Sequence, residues 1–374
     1  MKRFIYNFEA VFVSLMNKHI EEPLQIKMMS DPFKYYSAII KDIQEAQKYI
    51  YIELYRFTSD PIGVRFRDNL VKKAKEGVKV KLLIDSWAAS STYSFFSELV
   101  EAGGELKFFK KVRLSWDTFT KNHRRDHRKI FVFDDQITYI GSGNIAGYSL
   151  NWRESMFRIK GGIAKKFKEI IDQNFEIYKK FFYDKIEYTK SIKYKEYEIL
   201  RDVPSIIYQP IQRKLLSLIN GAKKEILIET PYFLPGSNLR KALMEASSRG
   251  VKVKVAIPKK SDVGIMDILS SRYFGELSRQ IKIYFYLPQA LHAKIFMVDR
   301  EVFVVGSANF DYRSFRYQHE ICLLGKNKSL IRQIINHSNE TLKDSEPFDY
   351  NTWLNRPMIQ RFFERVLVPF RHFF

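Results

Sequence analysis

Two short runs hold the residues best suited to chemistry. His127-Arg128-Lys129 leads through four apolar residues to Asp134, and His292-Ala293-Lys294 leads through four more to Asp299. In an extended chain residues i and i+2 share a face, so each histidine stands beside its lysine. A Gly-Ser-x-Asn tetrad follows each run, Gly141 to Asn144 and Gly306 to Asn309. Turns at Asp134-Asp135 and Asp299-Arg300 send the chain back, returning Asn144 and Asn309 toward the His/Lys pairs, and the glycines permit close backbone approach. Taken singly, such a pair suits an ordinary surface strand. Two pairs in matched contexts make a site. Lys129, Lys294, Asn144 and Asn309, with Ser142 and Ser307 as helpers, are donors placed for an anion. The two imidazoles divide the work, one neutral for attack and one protonated for donation.

The elements that position these residues repeat. The string AQKYIYIE at 46–53 returns as AKKEILIE at 222–229, and EGVKVKLLI at 76–84 returns as RGVKVKVAI at 249–257. The two His/Lys runs and the two tetrads keep the same order and nearly the same offset, as a duplicated domain does. In each half a helix (35–48; 211–224) leads into a strand (50–54; 225–230), and a second helix precedes a β-branched strand (78–84; 251–257). Strands alternating with helices predict an α/β sandwich in each half. The boundaries follow: an N-terminal amphipathic helix within 1–29, a first domain at 30–185, a Lys/Tyr/Glu-rich linker at 186–205, a second domain at 206–350, and a basic amphipathic helix at 351–374. Phe167, Ile170, Ile171, Phe175 and Tyr178 fall on one helical face and suit core packing.

Composition narrows the setting. Among 374 residues, 63 Lys plus Arg face 42 Asp plus Glu, a net charge of +21. That surplus favours a polyanionic partner, nucleic acid or an anionic membrane. A single cysteine, Cys322, excludes an intramolecular disulfide and a Cys-rich zinc site. No stretch approaches the ~20 apolar residues of a membrane-spanning helix. At the C-terminus Ile359, Phe362, Phe363, Val366 and Phe370 form one helical stripe, with Arg361 and Arg365 roughly opposite. An aromatic stripe with a basic back fits an interfacial helix on anionic lipid, the alternative being a helix docked on the body. His123, Asp126 and His127 have metal-ligand spacing, but Lys129 and the neighbouring arginines would repel a cation, so no metal and no cofactor is expected.

The paired HxKxxxxD and GSxN pattern resembles the phospholipase D superfamily over about residues 30–345. Within it, IETPYFLPGSNL at 228–239, FYLPQALHAKIFMVD at 285–299 and VVGSANFDYRSFRYQHE at 304–320 are similar to bacterial cardiolipin synthases. Gln289-Ala290 departs from the Gly and aromatic expected there. The resemblance implies two pseudo-twofold-related α/β, phospholipase D-like sandwich domains sharing one central active-site cleft. It implies phosphodiester chemistry through a covalent phosphohistidine, with His127 as nucleophile and His292 as general acid by analogy. Each histidine needs a carboxylate to fix its tautomer. Glu154 follows His127 and Glu320 follows His292 at nearly equal distances, about where the superfamily has an acid. Asp134 and Asp299 are expected to be structural, bonded to local backbone at their turns. The implied activity is transfer of a phosphatidyl group from one phosphatidylglycerol to another at the cytoplasmic side of the bacterial inner membrane, the protein being peripheral. Phosphatidylglycerol, cardiolipin and the membrane surface would be its partners. Alternatives are another phospholipase D reaction, a nuclease of the superfamily, or a lipid-binding scaffold. The terminal amphipathic helices argue against nucleic acid, which needs neither.

Overall fold

The computed structural model describes residues 23–87, 91–109, 124–178 and 184–370. The first half contains β1 (Gln25–Met29), α1 (Pro32–Glu45), β2 (Tyr49–Leu54), α2 (Pro61–Lys75), β3 (Lys79–Asp85), α3 (Ser97–Glu101), β4 (Glu105–Phe109), β5 (Arg125–Asp126), β6 (Lys129–Phe133), β7 (Ile137–Gly141), β8 (Met156–Lys160) and α4 (Ile163–Ile177). Two helices start where an aspartate precedes a proline: Asp31 caps α1, accepting the Phe33 N–H, and Asp60 caps α2, accepting those of Ile62 and Gly63.

The second half continues with α5 (Lys185–Thr189), β9 (Ile192–Tyr194), β10 (Tyr197–Asp202), α6 (Pro210–Gly221), β11 (Glu225–Glu229), β12 (Phe233–Leu234), α7 (Ser237–Ser248), β13 (Lys252–Pro258), α8 (Gly264–Leu277) and β14 (Lys282–Tyr286). It closes with β15 (Ile295–Val298), β16 (Val302–Gly306), β17 (Phe310–Asp311), α9 (Tyr312–Tyr317), β18 (Gln318–Gly325), α10 (Lys328–Lys343), β19 (Ser345–Pro347), α11 (Tyr350–Leu354) and α12 (Met358–Leu367).

The two sheets share one topology. The first runs β1-β8-β7-β6-β2-β3-β4, and the second contains the matching path β10-β18-β16-β15-β11-β13-β14, extended by β9 and β19 at its edges. In each, three parallel strands meet an antiparallel meander where β2 or β11 pairs with the strand of the His/Lys run, β6 or β15. Apolar residues on the facing sides of the two sheets merge, with Phe167 and Ile170 of α4 and Leu330 and Ile334 of α10, into one core. Separate cores lie under α1 and α2 outside the first sheet and under α6 and α7 outside the second. The expected pair of α/β sandwiches is thus present, pressed face to face.

Two boundaries need correction. The segment expected as a linker, 186–205, forms α5, β9 and β10, and β10 pairs with β18 along its whole length. The stretch assigned to an N-terminal helix ends as β1, antiparallel to β8, while 1–22 lie outside the described residues. β1 and β10 are the same element of the repeat. In β1 Gln25 and Lys27 alternate with apolar residues and face outward, whereas β10 is covered on both sides, Ile199 entering the core between the sheets and Leu200 the outer core, with Arg201 and Asp202 buried beside them. Composition alone reads that as polar.

At the C-terminus, α12 docks with its polar side inward. Glu364 is buried and receives two hydrogen bonds from Arg356, at 2.7 and 2.8 Å, while Gln360 donates to Ser271 of α8. Leu367 packs near Met266 and Leu269 of α8. The apolar stripe faces outward: Ile359 is 62% exposed, Phe362 59%, Phe363 44% and Val366 45%. Arg361 and Arg365 are exposed beside it. Residues 371–374 and the side chain of Phe370 lie outside the described residues.

Candidate active site

His127 follows β5 and His292 precedes β15, so the topology places both at the seam between the sheets. Each is tied to the opposite half by backbone: the His127 N–H donates to the His319 carbonyl at 3.0 Å, and the His292 N–H to the Arg153 carbonyl at 2.8 Å. The carboxylates cross over as well. His127 Nδ1 lies 3.0 Å from Glu320 Oε1, and His292 Nδ1 lies 3.0 Å from both oxygens of Glu154. Pairing therefore runs between the halves, a point the matched spacing within each half conceals. All four side chains are buried. With Nδ1 bonded to a carboxylate, each imidazole presents Nε2 for chemistry.

The remaining motif residues brace this centre. Lys129 Nζ donates to the His127 carbonyl at 2.6 Å and Lys294 Nζ to the His292 carbonyl at 2.7 Å. Ser307 Oγ donates to Glu320, and Ser142 Oγ accepts the Ser155 N–H at 2.7 Å. Asn144 Oδ1 accepts the Arg56 N–H at 3.1 Å, whereas Asn309 Oδ1 is buried and has no hydrogen-bond partner among the described residues. Asp134 and Asp299 have φ of 51° and 55° at their turns, followed by Asp135 and Arg300 in the same left-handed region. Their side chains reach further than local backbone. Asp134 accepts the N–H groups of Gln47, Lys48 and Tyr49, and Asp299 those of Lys223, Lys224 and Glu225. Each aspartate thereby pins its hairpin to the start of the central strand, β2 or β11. Asp126 is engaged by Arg128, which also meets Glu53; His123 lies outside the described residues.

Burial dominates the electrostatics and separates the two dyads. Burial, with the charges of Lys129 and Lys294 added, holds His127 well below the ordinary imidazole value. His292 is also lowered by burial, but Glu154 opposes the shift. Burial raises Glu320 to about 7 against the pull of Lys129. Glu154 stays below the usual carboxylate range despite burial, because His292 and Lys294 favour its charge. Burial brings Lys129 down to about 7 and Lys294 to about 8. The His127 side thus favours a neutral imidazole, and the His292 side holds a firm anion next to its ring.

Both histidines line one cavity of about 140 Å³, walled by Asn144 and Asn309 from the motifs. Sequence reasoning missed most of its other walls. Tyr55 and Arg56 follow β2, Tyr232 follows β11, Asp262 follows β13, and Tyr148, Trp152 and Arg313 come from the segments after the tetrads. The ring of Tyr55 stands edge-on to His127 with centroids 4.9 Å apart, and Trp152 lies 5.0 Å from His292. Their one sequence signal was position: ligands of α/β sheets gather beyond the carboxyl ends of parallel strands. Gln289 and Ala290 are not among the cavity walls; the Ala290 carbonyl accepts the Arg153 N–H at 2.9 Å and so shapes the loop that presents Trp152 and Glu154.

A profile described as cardiolipin synthase, PLD-like domain, matches residues 39–177 and 215–342. Cardiolipin synthase 1 of Staphylococcus epidermidis is 31% identical over 359 residues, covering 92% of this chain and 73% of that one. The cardiolipin synthase of Listeria welshimeri is 31% identical over 374 residues, covering 96% and 77%. Major cardiolipin synthase ClsA of Bacillus subtilis is 29% identical over 381 residues, covering 96% and 78%. Among solved structures, phosphatidylserine synthase of Haemophilus influenzae superposes with a TM-score of 0.77 at 17% identity, covering 94% of this chain and 95% of that one, a likeness of fold. With the profile spread over both halves and these relatives covering nearly the whole chain, the chain belongs to the cardiolipin synthase family of proteins with PLD-like domains.

Proposed function

We propose that this protein is a cardiolipin synthase that moves a phosphatidyl group from one phosphatidylglycerol to another and releases glycerol. The observation behind the mechanism is the crossed pair of dyads on one cavity, with unlike electrostatics. His127, held neutral, attacks phosphorus through Nε2; the N–P bond forms as the P–O bond to glycerol breaks, and His292 gives its proton to the departing oxygen. A glycerol hydroxyl of the second phosphatidylglycerol then returns that proton to His292 and attacks phosphorus. The N–P bond breaks and cardiolipin forms. Glu154 steadies the imidazolium of His292, and Glu320 orients His127. Lys129, Lys294, Asn144 and Asn309 surround the phosphoryl oxygens with positive potential and donors.

The membrane side of the proposal rests on α12. A helix that buries its glutamate and exposes Phe362 and Phe363 reverses the usual soluble pattern, and the arginines beside that stripe suit anionic headgroups. α12 packs on α8, whose Met266 also walls the cavity, so a bilayer touching α12 lies one helix from the chemistry. This supports a peripheral enzyme drawing phosphatidylglycerol from the inner membrane surface. Incubating purified protein with phosphatidylglycerol vesicles, without divalent metal, tests the reading. Cardiolipin with released glycerol is the expected outcome. Phosphatidic acid alone would make the protein a hydrolase, and cleavage of single-stranded DNA without lipid turnover would make it a nuclease.

A further inference from the structure

The cavity is symmetric at its centre and asymmetric at its edge. His127 answers His292 and Asn144 answers Asn309, as transfer at a single phosphorus requires. Beyond them the halves differ. Arg56 and Arg313 wall the cavity and have no carboxylate partner within ion-pair distance among the described residues. Two carboxylates share the lining with them: Asp311, which is buried and accepts the Ser314 N–H at 2.7 Å, and Asp262. Asp262 makes no ion pair among the described residues and accepts the hydroxyl proton of Tyr232 at 2.5 Å. Its charge bears on His292 and Lys294, which places it on the His292 side. Tyr148, 5.2 Å from Trp152 between ring centroids, also feels that charge.

A carboxylate repels phosphate, so Asp262 must face a part of the substrate that is neutral and donates hydrogen bonds. In a double displacement through His127 the leaving and entering alcohols take turns at the position opposite the attacking nitrogen, beside His292. The geometry points to Asp262, positioned by Tyr232, as the acceptor for the hydroxyl groups of glycerol, both as it leaves and as the second phosphatidylglycerol brings it in. This rests on the transferase reading. Asp262 makes the phosphatidyl-enzyme prefer a polyol to water, because water cannot span the carboxylate and the reacting centre together.

The test is product partition with phosphatidylglycerol vesicles in wild type, Asp262→Asn and Tyr232→Phe. Asp262→Asn should raise the ratio of phosphatidic acid to cardiolipin about tenfold, the loss expected for a hydrogen bond to a charged acceptor. Added free glycerol should suppress cardiolipin formation only at about tenfold higher concentration than in wild type. Tyr232→Phe should shift both readouts the same way by less. A parallel fall of both products, or an unchanged ratio, overturns the inference. So does wild-type enzyme that transfers to added ethanolamine in preference to glycerol and loses this in Asp262→Asn, since Asp262 would then bind an ammonium group. Wild-type enzyme producing phosphatidic acid without cardiolipin overturns the transferase reading and this inference with it.

Discussion

Replacing Glu154 with Gln tests the crossed dyad where it bears most on chemistry. The side chain is buried, and both its oxygens lie 3.0 Å from His292 Nδ1. Glutamine keeps the shape and removes the charge. A hydrogen bond to a buried charged group contributes about 1.5–3 kcal/mol, and one pKa unit corresponds to about 1.4 kcal/mol. His292 should therefore lose its proton about 1–2 units lower than in wild type. The sign is fixed: Glu154 favours the imidazolium, so removing its charge lowers the His292 pKa and moves the alkaline limb of the pH–rate profile toward acid. At neutral pH the protonated fraction falls about tenfold per unit, and with poorer support for proton transfer the rate of glycerol release should drop about 10²–10³-fold. The assay is glycerol release from phosphatidylglycerol in detergent micelles across the neutral range. Glu320→Gln is the control. Burial has already raised Glu320 to about 7, so less charge is lost and the alkaline limb should stay closer to wild type. An unchanged limb in Glu154→Gln, or a larger displacement in Glu320→Gln, would refute the assignment of Glu154 to the proton donor.

Three further outcomes are expected. Asp299→Ala, which removes three backbone-to-carboxylate bonds at the start of β11, should cost about 2–3 kcal/mol of stability, read as an earlier denaturant midpoint. Phe362→Ser with Phe363→Ser should weaken partition onto anionic vesicles at least about 10²-fold, from about 1.5–3 kcal/mol per buried ring, and spare activity on a soluble short-chain phosphatidylglycerol; equal losses in both assays would count against membrane contact. Arg128→Ala should leave Glu53 and Asp126 without their buried guanidinium and cost about 3–5 kcal/mol, seen as loss of soluble, folded protein.

The repeat made much of this molecule legible in advance. β6 and β15 are apolar runs bounded by a His/Lys pair and a turn, and local pattern is enough to find them. β1 and β10 escaped because charged residues fall within a few positions: Lys27 of β1 faces outward, whereas Arg201 and Asp202 of β10 are buried beside β18, a partner more than a hundred positions away. The partners of His127 and His292 could be named from spacing, but which glutamate serves which histidine depends on how two sheets meet, and no local signal encodes that. Asp134 and Asp299 were recognisable as turn residues, while the N–H groups they hold lie more than seventy positions away in the chain. Tyr55, Arg56, Tyr232, Asp262 and Arg313 follow or flank strands without any repeating motif. They sit at the asymmetric edge of the cavity, where the two halves have diverged from their common pattern. The stripe on α12 was visible from helical period, whereas its outward direction is set by the burial of Glu364 against Arg356.

The central claim is that His127 receives the phosphatidyl group while His292, across the seam, handles the proton. The most direct measurement is mass spectrometry of rapidly quenched His292→Ala enzyme after exposure to a phosphatidyl donor whose leaving group needs no proton. A phosphatidyl adduct on His127, and none in His127→Ala, is the expected result. An adduct on His292 of otherwise intact His127→Ala enzyme would reverse the roles and contradict it.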